Sequence, residues 1–78
     1  MQNVTILLNT IEKVKSFVNV ISKLDCEFVL RQGHYDINAE SIMGIFSLDL
    51  SNKIALSIDT DDEDKIADAM EKIKPYLA

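Results

Sequence analysis

Apolar positions along the chain switch between a two-residue and a longer period, and the switches mark the elements. Val4, Ile6 and Leu8 share one face of a predicted strand over Val4–Leu8. Asn9-Thr10 then reads as an N-cap pair, and the period lengthens. Ile11, Val14, Phe17 or Val18, Ile21 and Leu24 fall on one helical stripe, while Glu12, Lys13, Lys15, Ser16, Asn19 and Ser22 take the other side. Alternation returns over Cys26–Arg31. Gln32-Gly33 predicts a tight turn, because glycine adopts positive φ without steric cost, and His34–Asn38 predicts the returning strand. A short apolar helix is expected between Ser41 and Leu48, then a turn over Asp49–Asn52. Lys53–Asp59 is the cleanest strand, with Ile54, Leu56 and Ile58 facing inward. Thr60-Asp61-Asp62-Glu63 matches a capping box, in which the Thr60 hydroxyl and the Glu63 carboxylate satisfy reciprocal amides. Ile66, Ala69, Met70, Ile73 and Leu77 form the stripe of the helix that follows, and Pro75 ends or kinks it.

The predicted order is β-α-β-β-α-β-α, an α+β fold. Strands with one apolar and one polar face imply a four-stranded, mostly antiparallel sheet with three helices on one face. Residues 1–78 read as a single domain. An apolar fraction of 47% over 78 residues is enough for a core without disulfide or metal, although a chain this short buries a modest share of its surface. Thirteen acidic residues against eight basic ones give a net charge of −5, opposite in sign to a nucleic-acid binder. Cys26 is the sole cysteine, so no internal disulfide forms, and Asp25 and Glu27 beside it raise its pKa rather than activate it. With no signal segment and no apolar run of membrane length, the expected location is the cytoplasm, away from any membrane. The acidic run Asp59–Asp64 lacks the loop glycine and the distant bidentate acid of a calcium loop, so it reads as a solvated helix start. No metal, no cofactor and no catalytic residue is expected.

The stretch Ala39-Glu40-Ser41-Ile42-Met43-Gly44-Ile45-Phe46-Ser47-Leu48 carries the chemistry. Two roles fit Ser41. It is a good N-cap, worth about 1 kcal/mol over alanine, and it is a hydroxyl at a helix start, where free amides and the helix dipole favour a phosphate. A turn holding Ile42, Met43, Ile45 and Phe46 buries only part of them. Ile45 and Leu48 are expected inside, with Met43 and Phe46 more exposed as a docking patch together with Ile42.

That stretch, above all Ser41-Ile42-Met43-Gly44, with the element order from about Asn3 to Leu77, resembles the HPr family, the small phosphocarriers of the bacterial sugar phosphotransferase system. The resemblance implies an open-faced β-sandwich. It also implies two phosphorylation positions: a carrier histidine at the start of the first helix, in a His-Ala-Arg-Pro context, and a regulatory serine. On that pattern Thr10 stands at or near the histidine position, Glu12 near the arginine, and Lys13 in place of the proline. A threonine phosphate ester is far less labile than a phosphoramidate, and Glu12 reverses the charge suited to an anion, so histidine phosphotransfer is not expected there. Ser41 matches the regulatory serine, with Glu40 where the family commonly has a basic residue. His34, the sole histidine, falls at the hairpin turn.

The expected function is therefore an HPr-like protein without histidine phosphotransfer, a regulatory or protein-interaction module and not an enzyme. Its implied partners are phosphotransferase-system enzymes, a serine kinase or a transcription regulator. The alternatives are a Ser41-phosphorylated co-regulator similar to the catabolite-repression HPr-like protein, a phosphocarrier using a non-standard site such as His34, and a dimerising scaffold. The expected state is a monomer or a weak homodimer.

Overall fold

The computed structural model describes residues 2–78. Its elements are β1 (Gln2–Ile6), α1 (Ile11–Ser22), β2 (Glu27–Gln32), β3 (Tyr35–Asn38), α2 (Ile42–Phe46), β4 (Ile54–Asp59) and α3 (Glu63–Ile73), with a 3-10 turn over Lys74–Tyr76. The four strands form one sheet in the order β1-β4-β2-β3, and every neighbouring pair is antiparallel. The α+β open-faced sandwich expected from the sequence is the architecture observed.

Register sorts the side chains. Val4 and Ile6 lie opposite Leu56 and Ile54, Leu56 lies opposite Leu30, and Leu30 opposite Ile37, which builds one apolar face. Val14, Phe17 and Ile21 of α1, Ile45 of α2, and Ala69 and Ile73 of α3 join those residues in a single buried cluster. The opposite row, Asn3–Ser57–Val29–Asn38, and the row Thr5–Ala55–Arg31–Asp36 form the uncovered face. An Arg31–Asp36 ion pair at 3.3 Å sits on it. Strand alternation thus sorts the two faces: one packs under helices and the other carries polar and mixed residues, with Ser57 in its middle row still buried.

Several boundaries differ from the sequence pattern, each for a local reason. β1 spans Gln2–Ile6, not Val4–Leu8. Leu8 is still buried, but Leu7 leaves the ladder and donates its N–H to the Tyr76 carbonyl at 2.9 Å. Ile11 is 60% exposed and falls outside the buried stripe, because it opens the first turn of α1 beyond the reach of the sheet. Cys26 and His34 lie just outside β2 and β3. The hairpin turn is Gly33-His34, with Gly33 at φ +60°, the left-handed region that glycine adopts freely. The capping box at Thr60 and Glu63 does not form. Asp62 is the N-cap of α3, its carboxylate accepting from the N–H groups of Asp64 (3.0 Å) and Lys65 (3.3 Å), and Thr60 Oγ1 accepts from Asp62 N–H instead. A carboxylate two residues closer to the apolar stripe wins the capping position, aided by the dipole. Pro75 converts the end of α3 into the 3-10 turn. That turn throws Leu77 out of the helical stripe, 40% exposed, into an antiparallel bridge with Ile6.

Candidate functional site

The start of α1 is set by Thr10. Its backbone is extended (φ −137°, ψ 155°), its Oγ1 accepts from Lys13 N–H at 3.1 Å, and its carbonyl accepts from Val14 N–H at 3.1 Å. Glu12 lies in the first turn, where a carboxylate suits the positive end of the dipole. Thr10, Glu12, Lys13 and Ser16 line a shallow cleft whose far wall is Pro75 and Tyr76. The sequence reading missed Ser16, Pro75 and Tyr76 here. Tyr76 is buried, packs edge-on against Phe17 with ring centroids 5.4 Å apart, and shares a hydrogen bond between its hydroxyl and Ser16 Oγ. Ala78 N–H donates to the Thr5 carbonyl at 3.0 Å, so the C-terminal segment is pinned beside the α1 start. The one available hint was an aromatic residue directly after Pro75, where a helix must end.

The start of α2 repeats the device. Ser41 is extended (φ −83°, ψ 92°), and its Oγ accepts from Gly44 N–H at 3.3 Å. Asn38 prepares the turn: its carbonyl accepts from Ser41 N–H at 2.9 Å, and its Oδ1 accepts from Glu40 N–H at 2.9 Å. Gly44 is required here by close approach, since a Cβ at that position would lie 2.7 Å from Ile37 Cγ2 and 3.0 Å from Ser41 Oγ. Ile45 and Leu48 are buried and Ile42 is half-buried, whereas Met43 is 78% and Phe46 39% exposed. Positions three apart on a helix share a side, so Met43 and Phe46 present one outward apolar surface. α2 packs against α1, whose own first residue, Ile11, is also exposed.

The remaining sequence-singled residues lie apart from these two helix starts. His34 is exposed in the β2–β3 turn. Cys26 is half-buried before β2, and burial pushes its thiol pKa up while the Lys65 ammonium pulls it down. Lys65 itself is raised by its 3.1 Å bond to Asp25. Among the described residues no group of three His, Cys, Asp or Glu side chains is placed to hold a metal ion. Among them, too, no helix is long and apolar enough to cross a membrane.

A four-stranded antiparallel sheet under three helices places the chain among small open-faced α+β sandwiches. The sequence model of the family described as "PTS HPr component phosphorylation site" matches residues 12–78. The chain belongs to the HPr family, whose members are phosphocarriers of the sugar phosphotransferase system rather than catalysts. Among solved structures it is similar to HPr-C-His from Thermoanaerobacter tengcongensis, with 31% identity over 94% of this chain and 90% of that one, and a TM-score of 0.73. No curated protein matches it. The family match begins at Glu12, two residues beyond Thr10.

Proposed function

We propose that this HPr-family chain is a cytoplasmic protein-docking module that does not carry phosphate on histidine. The observation that supports this most directly is that a threonine, its side-chain oxygen already accepting from Lys13 N–H, occupies the start of α1. Phosphoryl transfer between proteins uses an imidazole because its phosphoramidate is labile; an alkyl hydroxyl forms a stable ester. The cleft that meets Thr10 is lined by Glu12, Lys13, Ser16, Pro75 and Tyr76, and none of these supplies an imidazole. What the chain retains is a docking surface on α2: Ile42 half-buried, with Met43 and Phe46 outward. Exposed apolar groups rimmed by polar ones are the usual core of a protein interface. The partners of this reading are proteins of the phosphotransferase system or its regulators.

Incubation with the first enzyme of the system and phosphoenolpyruvate tests it. The expected result is no acid-labile phosphate on the chain. Label lost in His34→Ala would replace the reading with a carrier that uses the hairpin histidine.

A second reading, phosphorylation of Ser41 as a regulatory switch, is favoured by the exposure of Ser41 and by its place at the N-terminal amides of α2. Glu40 opposes it through like-charge repulsion. Labelling with ATP and a serine kinase of the system, abolished in Ser41→Ala, supports this reading; an unlabelled wild-type chain removes it.

A further inference from the structure

α1 and α3 do not close completely against each other. Between them lies a half-open cleft of about 450 Å³, lined by Val20, Lys23, Leu24, Asp68 and Lys72. Val20 and Leu24, four apart and half-buried, supply an aliphatic floor. The walls are charged, and their balance is unlike that of the molecule. The chain carries −5 overall, yet this cleft gathers two ammonium groups and one carboxylate. Arg31, Lys65 and Lys74 are committed to ion pairs with Asp36, Asp25 and Glu71, whereas neither Lys23 nor Lys72 makes an ion pair among the described residues. Val20 is 10 residues beyond Thr10, or roughly 15 Å along the α1 axis, and Leu24 lies just past the end of that helix, so the cleft is separate from the α1 start.

We propose that the α1–α3 cleft is a binding site for a small amphiphilic carboxylate, its apolar body on Val20 and Leu24 and its carboxylate between the Lys23 and Lys72 ammonium groups. The volume falls in the range of small-molecule sites, and the lining, two aliphatic residues and three charged ones, is more polar than most of them, which selects a charged ligand. Each lysine is a compact point charge on a flexible stem, so the two ammonium groups together can meet the two oxygens of a carboxylate at the end of an alkyl chain. Asp68 sets a limit on affinity, because its charge opposes the ligand's.

Octanoate is the probe, titrated into the isotope-labelled full chain and followed by two-dimensional amide NMR. Saturable shifts are expected at Val20, Lys23, Leu24, Asp68 and Lys72. Octanol, which lacks the charge, and acetate, which lacks the body, should each bind at least about fivefold more weakly, as expected for loss of one partly solvated charge contact or of several buried methylenes. Lys23→Glu with Lys72→Glu should abolish the octanoate shifts. Asp68→Asn, which removes a repulsive charge without touching the lysines, should tighten binding and keeps the test decisive should the double variant fold poorly. Equal response to octanol and octanoate, shifts centred on Met43 and Phe46, or an Asp68→Asn chain that binds no better than wild type would each overturn the proposal. None of these outcomes bears on phosphoryl transfer at α1 or α2.

Discussion

The starts of α1 and α2 use the same local device and sit in opposite surroundings. Thr10 and Ser41 both adopt extended backbone, and each accepts from the N–H three residues on, at 3.1 and 3.3 Å. Behind Thr10 stands an exposed isoleucine and an open cleft; behind Ser41 stands a five-residue helix whose glycine touches β3 and whose Ile45 is fully buried. The geometry of a hydroxyl cap therefore says nothing about its chemistry. The side-chain type and the packing behind it carry the difference: α1 anchors three buried residues, Val14, Phe17 and Ile21, in the core, while the five-residue α2 anchors one, Ile45, and both are too short to be stable alone.

The largest expected effect exploits that difference. Ile45→Ala empties a fully buried position and should cost about 3 kcal/mol. Ile11→Ala, at the exposed first position of α1, should change stability by no more than about 0.5 kcal/mol, whereas Val14, which holds in α1 the fourth position that Ile45 holds in α2, is as fully buried as Ile45. Paired urea denaturation of the two variants measures both. Comparable losses would mean that Ile11 is packed and that the contrast between the two starts is false.

Gly44→Ala is next. Alanine in a helix gains about 1 kcal/mol over glycine, but the new Cβ would lie 2.7 Å from Ile37 Cγ2, a branched methyl close to its own backbone that cannot swing away. Overpacking of this kind costs about 1–3 kcal/mol, so the net expectation is a loss of about 1 kcal/mol. A cycle with Ile37→Ala isolates the contact: the alanine at position 44 should become favourable once the methyl is gone.

The caps themselves come third. Thr10→Ala and Ser41→Ala should each cost about 1 kcal/mol, and Thr10→Ser should restore nearly all of the first, since only the hydroxyl is used. Midpoints from thermal denaturation separate these cases. A Ser41→Ala chain of full stability would free that hydroxyl from its structural role.

The pattern of apolar positions made the architecture legible because both periods are local: Ile54, Leu56 and Ile58 could be placed inward without knowing their partners. Thr10 and Ser41 were legible as helix starts for the same reason. What escaped were choices decided by competition or by distance. Asp62 displaced Thr60 because two capping residues stood two apart and only one could meet the amides of Asp64 and Lys65. Ile11 fits the helical stripe by spacing, but spacing does not tell how far the sheet extends beneath it. The meeting of Tyr76 with Ser16, sixty residues apart, depends on the chain returning along β1 after Pro75, and no window of sequence contains that.

The smallest effect concerns the loop beyond α2, which is pinned by a neutral side chain where the loop beyond α1 is pinned by the Lys65–Asp25 ion pair at 3.1 Å. Gln32 clips Asp49 by two bonds, its Oε1 accepting from Asp49 N–H at 2.7 Å and its Nε2 donating to the Asp49 carbonyl at 2.8 Å. The Asp49 carboxylate in turn accepts from the Ser51 hydroxyl at 2.7 Å and the Asn52 amide at 2.6 Å. Those bonds, Ser51's first, hold its pKa below the ordinary aspartate value. A lowered folded pKa means that the charged form is the one favoured by folding. Its contribution is fully present above the unfolded value, about 3.9, and is lost as pH falls through the folded value. Asp49→Asn cannot titrate, so its stability should fall less steeply than wild type as pH drops below about 4. The group is fully solvated, and the difference should shrink further in high salt. Urea midpoints across that range, wild type against variant, measure it. Parallel curves would show that the loop after α2 is held by the Gln32 clip alone.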